Sequence, residues 1–214
     1  MPALIAGATG LVGRELAQHW TGPGDLMMLV RKPGTAPAGP RLRPWPVDFL
    51  ALPALPTAQE AFCCLGTTIS QAGSQAAFRA LDFDAVLAFA RAARAAGVQR
   101  FGLVSALGAD SHASSFYSRV KGEAEVALAD LGFESLVIAR PSLLAGDRAA
   151  LGQAPRLGER LALTIALPLG RLVPVAWRPI QAACVARALL RAVREGRPGQ
   201  RVLSSAEMQH LGAP

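Results

Sequence analysis

Apolar residues in this chain fall into short unbroken runs, and these alternate with stretches of helical period across polar or glycine-rich breaks. Ala3-Leu4-Ile5-Ala6 is the first run, of the kind expected for a strand buried on both faces. It ends in Gly7-Ala8-Thr9-Gly10-Leu11-Val12-Gly13, after which Arg14 to Trp20 reads as a helix. Asp25 to Val30 is a second strand. The proline- and glycine-rich stretch from Pro33 to Pro46 reads as a surface loop, and Pro46-Val47-Asp48-Phe49 as the end of a third strand. Ala61 to Gly66 is a fourth strand, breaking at Gly66-Thr67-Thr68. An alanine-rich helix follows from Ser74 to Ala96, closed by Gly97. Arg100 to Ser105 is a fifth strand with Ser105 at its carboxyl end. The helix that carries Tyr117 runs to about Leu131, and Glu134 to Ala139 is a sixth strand leading into Arg140-Pro141. Further on, Leu157 to Leu167 and Ile180 to Arg194 read as helices and Arg201-Val202-Leu203 as a last short strand. The alternation predicts one α/β domain over residues 1–214, built on a parallel sheet with helices on both faces. Residues 1 to about 145 form its core, and 146–214 a modest substrate-side lobe.

The glycine spacing is informative because of where it falls, between a buried strand and a helix. Gly7 permits the tight turn, Gly10 lets the backbone approach a pyrophosphate, and Gly13 allows close packing of helix on strand. The helix N-terminus then offers unpaired N–H groups and a favourable dipole to phosphates, past Thr9, Leu11 and Val12. A plain strand–helix turn is the alternative. The second strand runs into Arg31-Lys32 rather than into an acidic residue that would accept ribose hydroxyls. Two cations there suit the 2′-phosphate of NADP, so NADP(H) is the preferred cofactor and NAD(H) the alternative. Asp48 falls either near the adenine or at the cap of a following short helix. Leu65, Gly66 and Thr67 end the fourth strand beside the cofactor. Ser105 lies at the carboxyl edge of the sheet, where open parallel sheets bind ligands.

Phe116-Tyr117-Ser118-Arg119-Val120-Lys121-Gly122-Glu123 holds the only tyrosine and one of the two lysines. Four residues apart on a helix, Tyr117 and Lys121 project from the same face. A tyrosine with a free pKa of about 10 acts as acid or base near neutrality only if its phenolate is stabilised, and an ammonium one turn away does that.

Composition narrows the classes. With 51% hydrophobic and 17% charged residues the chain is a globular protein rather than a disordered one. The net charge of +7 comes from arginines spread between Arg14 and Arg201, without a dense basic run or interleaved aromatics, so nucleic-acid binding is not expected. Cys63 and Cys64 are adjacent in an apolar run and Cys184 is in a helical stretch, which fits buried thiols in a reducing compartment. No cysteine or histidine spacing suggests a metal site. No apolar run reaches membrane-spanning length without interruption, and the N-terminus lacks a signal-peptide arrangement, so a cytoplasmic location is expected.

Gly7-x-x-Gly10-x-x-Gly13, Ser105 and Tyr117-x-x-x-Lys121, in this order, resemble the short-chain dehydrogenase/reductase superfamily. Cys63-Cys64-Leu65-Gly66-Thr67-Thr68, Gly108-Ala109-Asp110, Val120-Lys121-Gly122-Glu123 and Arg140-Pro141 are similar to the atypical branch that contains the Tat-interacting-protein oxidoreductases. The similarity is densest from residue 3 to 145. It implies a Rossmann-type, doubly wound fold and bound NADP(H). It also implies that Tyr117 is the acid or base at a carbonyl or alcohol oxygen, and that Lys121 lowers its pKa and holds the nicotinamide ribose. Ser105 would orient the substrate oxygen, Leu65 and Gly66 would pass the cofactor's ribose, and the turn after Arg140 would pack on the nicotinamide. Many superfamily members add a relay asparagine on the helix before the serine strand. This chain has no asparagine, and the corresponding helix offers Asp82 and Asp84.

Three functions follow from these residues. The first is NADP(H)-dependent oxidation or reduction of a small molecule by a monomer or homodimer. The second is a cofactor-sensing regulator with little turnover. The third is epimerase or dehydratase chemistry on a sugar nucleotide, for which the short C-terminal part leaves little room.

Overall fold

The strands in chain order are β1 (Ala3–Ala6), β2 (Leu26–Val30), β3 (Leu42–Pro46), β4 (Glu60–Cys63), β5 (Arg100–Val104), β6 (Ser135–Arg140), β7 (Leu144–Ala145), β8 (Ile180–Gln181) and β9 (Gly199–Ser204). These come from a computed structural model that describes residues 1–49, 51–145 and 174–213. Seven of them form one sheet in the order β3-β2-β1-β4-β5-β6-β9, with every neighbouring pair parallel. β7 and β8 pair separately beside it. The order reverses between β1 and β4, so a crevice opens at their carboxyl ends, the place where open α/β sheets bind ligands.

The continuous apolar runs are explained by cover on both sides. In β1, Ala3 and Ile5 join the core on one face and Leu4 and Ala6 the core on the other. In β6, Val137 and Ala139 point one way and Leu136 and Ile138 the other. The helices are α1 (Leu11–Gln18), α2 (Ile69–Ala72), α3 (Gln75–Arg79), α4 (Ala85–Ala95), α5 (Phe116–Ala129), α6 (Ala182–Glu195) and α7 (Ser205–Leu211). α1 and α6 supply Val12, Leu16, Val185 and Leu189 to the first core, and α4 and α5 supply Val86, Phe89 and Leu128 to the second. The architecture is therefore a doubly wound Rossmann-like sandwich. No helix among the described residues is long and apolar enough to cross a membrane.

Three expectations need correction. The stretch from Pro33 to Pro46 is not all loop, because its end is β3, and Pro46-Val47-Asp48-Phe49 mostly follows that strand. β3 is the edge of the sheet and half exposed, where Pro44 and Pro46 are tolerated and the apolar run is lost. The helix expected from Ser74 to Ala96 contains a π-turn over Ala80–Asp84 between α3 and α4, with Ser74 capping its start. The C-terminal part does not lie only on the substrate side: β9 completes the main sheet and α6 covers β5 and β6. The helix expected over Leu157 to Leu167 lies outside the described residues.

Candidate functional site

A cleft of about 690 Å³ lies along the crevice and gathers most of the residues singled out above. Gly7, Thr9, Gly10, Leu11 and Val12 line one part and Arg31 and Asp48 flank it. Leu65, Gly66 and Thr67 form the middle, and Ser105, Tyr117 and Lys121 the other part. Gly13, Lys32, Arg140 and Pro141 are not among the described lining residues.

The three glycines of the first turn do different things. Gly7 has a φ of +87°, and a Cβ there would meet the Cys64 carbonyl carbon at 2.4 Å. A Cβ on Gly13 would meet the Gly7 carbonyl oxygen at 2.1 Å, so this glycine seats α1 on the turn. Gly10 is different: its φ is −83° and the nearest atom to an added Cβ is the Gly7 oxygen, at 3.5 Å. The protein itself does not need a glycine here. A bare backbone facing the cleft at the start of α1 is a cradle that a Cβ would fill, and it fits a pyrophosphate. Next to it, Arg14 donates from Nε to the Thr9 carbonyl at 3.3 Å and from Nη2 to the Thr35 carbonyl at 2.9 Å. It thereby ties the glycine turn to the loop that begins with the exposed Arg31 and Lys32.

At the other part of the cleft α5 presents Tyr117, Lys121 and Glu125 at successive turns of one face. The Tyr117 ring stacks at a tilt on Phe78 of α3, with centroids 5.3 Å apart. Lys121 is buried and its Nζ is 2.7 Å from Oδ1 of the fully buried Asp82, which comes from the π-turn. The other Asp82 oxygen accepts the Thr67 backbone N–H at 2.9 Å. Burial works against the Lys121 charge, but the Asp82 carboxylate, together with Tyr117 and Cys63, offsets it and holds the lysine pKa above its ordinary value. Burial pushes the Cys63 thiol up to about 12 and also raises the thiol of Cys64, which lines the cleft. Both stay neutral.

Ser105 sits where its strand position implied, but its hydroxyl is engaged. It donates to Oε1 of Glu125 at 2.5 Å, and both residues are buried. Arg140 donates from Nε to both Glu125 oxygens at 3.1 Å and from Nη2 to Oε2. Pro141 serves through its carbonyl, which accepts the Leu107 N–H at 2.9 Å. The sequence reading missed Glu125 and Arg14. A signal existed for Glu125, since it continues the four-residue spacing of Tyr117 and Lys121 by one more turn. None existed for Arg14.

The NAD(P)H-binding family matches residues 7–154, more than half of the chain. Protein HTATIP2 of Rattus norvegicus is 37% identical over 174 residues, spanning 78% of this chain and 68% of that protein. The chain belongs to the NAD(P)H-binding family of atypical short-chain dehydrogenase/reductases. A second relative in this family, the mitochondrial protein fmp-52 of Neurospora crassa, is 31% identical over 231 residues, with 97% of this chain and 93% of that protein covered. Among solved structures, MoeE5 in complex with UDP-glucose and NAD superposes with a TM-score of 0.72 over 95% of this chain and 75% of that one. At 20% identity that likeness speaks to the Rossmann-like fold alone. The family assignment agrees with a glycine turn shaped by close backbone approach rather than by side chains.

Proposed function

We propose that this protein is an NADP(H)-dependent oxidoreductase that moves hydride between its dinucleotide and a small carbonyl or alcohol. The observation that carries the reading is one cleft holding both the open cradle at Gly10 and the group Ser105, Tyr117 and Lys121. Gly7 to Gly13 and the first turn of α1 would hold the pyrophosphate. Arg31 on the cleft wall, with Lys32 beyond it, supports the choice of NADP over NAD, because both are cations at the end of β2. Asp48 would face the adenosine side, and Leu65, Gly66 and Thr67 the ribose.

When bound, the dinucleotide supplies the hydride chemistry. The chain supplies the rest. Tyr117 would give a proton to a carbonyl oxygen, or take one from an alcohol, at the inner part of the cleft. Lys121 keeps a positive charge on the same helix face, one turn away, and Asp82 prevents it from swinging out. Ser105 fixes the substrate oxygen. In this reading the substrate is a small molecule, the protein is a monomer or homodimer, and it works in the cytoplasm. The last point differs from the mitochondrial label of the fungal relatives.

The test is consumption of NADPH by the purified protein against a panel of aldehydes and ketones, and of NADP⁺ against the matching alcohols. Turnover that falls about 10²- to 10⁴-fold in Tyr117→Phe, with dinucleotide binding retained, is the expected result. Turnover unchanged by that substitution would remove Tyr117 from the chemistry.

A further inference from the structure

The turn that holds the glycines and the loop that holds the two cations are joined by one side chain. Arg14 lies in the first turn of α1, half-buried. Its Nε donates to the Thr9 carbonyl at 3.3 Å and its Nη2 to the Thr35 carbonyl at 2.9 Å. Thr9 belongs to the turn after β1 and Thr35 to the loop after β2. A planar guanidinium, with its donors in a rigid fork, sets these two carbonyls relative to one another. An ammonium on a flexible stem does not. The loop is anchored at both ends. At one end the carbonyl of Val30, the last residue of β2, accepts the Val47 N–H at 2.9 Å. At the other, Thr35 closes a turn on Lys32, whose carbonyl accepts the Thr35 N–H at 3.3 Å and the Thr35 hydroxyl at 2.8 Å. The Arg14 bond then ties this closed turn to the glycine turn. Arg31 and Lys32 stand between the anchors, exposed and, among the described residues, without an ion-pair partner.

We infer that Arg14 is a positioning residue for cofactor choice: it braces the 32–35 turn against the glycine turn and so holds Arg31 and Lys32 toward a 2′-phosphate. This deepens the NADP(H) reading above and rests on it for the identity of the anion. Arg14 acts through the loop and not on the phosphate itself, since its Nε and Nη2 are directed to backbone carbonyls. Arg31 and Lys32 have long side chains, and ordering them around an anion costs conformational entropy. A loop already fixed at both ends leaves less to be ordered when the dinucleotide arrives, and that saving applies only to a ligand the two cations grip. NADH lacks the 2′-phosphate and gains nothing from it. The brace therefore favours NADPH selectively, although it lies outside the cation pair.

The experiment measures dissociation constants of NADPH and NADH by calorimetry for the wild type, Arg14→Ala, Arg14→Lys, Arg31→Ala and the double variant Arg14→Ala/Arg31→Ala. Arg14→Ala should lose about tenfold in NADPH affinity and about twofold at most in NADH affinity. Arg14→Lys keeps the charge but not the fork, so it should show most of the same loss, and it decides the matter if Arg14→Ala does not fold. Because Arg14 acts through the cation loop, its removal should cost less in the Arg31→Ala background than in the wild type. Equal losses for the two nucleotides would make Arg14 a plain brace of the glycine turn and overturn the inference. Full recovery in Arg14→Lys would also overturn it, since charge alone would then suffice. So would losses that add fully in the double variant. A wild-type preference for NADPH that survives both Arg14 substitutions removes the inference and leaves the NADP(H) reading standing. A wild type without that preference removes both. No step requires turnover, so the result is independent of Tyr117.

Discussion

The Lys121 ammonium lies 2.7 Å from the Asp82 carboxylate, and both groups are buried. The pair joins α5 to the π-turn of the preceding helix, and Asp82 also holds the loop after β4 through the Thr67 N–H. One carboxylate thus sets the distance between the middle of the cleft and the Tyr117 helix. Removing one partner leaves an uncompensated charge inside the protein. Asp82→Ala should therefore cost about 3–5 kcal/mol of unfolding free energy. The double substitution Asp82→Leu with Lys121→Met should recover most of that loss, because a well-packed apolar pair is tolerated where a lone charge is not. Denaturant titration of the two variants checks both statements.

Stability should fall on the alkaline side. Lys121 has a folded pKa above its ordinary 10.5, so its contribution is complete below that value and lost as pH rises through the folded one. Cys63 is raised from 9.0 to about 12 by burial, so the unfolded chain loses that proton first and stability drops between those two values. Both effects have the same sign. Unfolding free energy measured from neutrality to strong alkali should be flat at first and then decline, and Cys63→Ala should make the early part of the decline shallower.

The three turn glycines should separate in a stability and binding comparison. Gly7→Ala and Gly13→Ala force a Cβ to within 2.4 Å and 2.1 Å of backbone atoms, so each should lower the melting temperature by many degrees. Gly10→Ala meets nothing closer than 3.5 Å and should melt near the wild type. Its loss should appear instead in dinucleotide affinity, at least tenfold, measured by calorimetry.

Gly122 is the contact between α5 and the loop after β5. A Cβ there would lie 2.2 Å from the Asp110 carbonyl carbon, which has no side-chain freedom to yield. Gly122→Ala should destabilise the fold by about 1–3 kcal/mol and lower turnover further than that loss alone explains, because the loop carrying Ser105 is pushed from the Tyr117 helix. Thermal melts and steady-state rates on the same samples test this.

β1, β4, β5 and β6 were legible in the sequence because strands covered on both faces leave continuous apolar runs. β3 was not, since an edge strand with Pro44 and Pro46 has the composition of a loop. Asp82 was noticed only as a replacement for an absent asparagine. Its ion pair was invisible because it depends on a π-turn, which shifts the helix face by one residue and leaves no signal in the spacing. The resemblance concerns only the turn after Arg140, and nothing in the spacing reveals that the Arg140 guanidinium pairs with Glu125. Strand ends and glycines reveal where a cleft lies, but the partners of buried charges come from tertiary packing.

The most direct measurement is a calorimetric titration of the wild type and Arg31→Ala with NADPH and with NADH. Tight NADPH binding and weak NADH binding are expected in the wild type, with the difference largely lost in Arg31→Ala. Equal affinity for the two would contradict the choice of NADP. Binding of neither would reduce the glycine turn to a strand–helix connection and take the oxidoreductase reading with it.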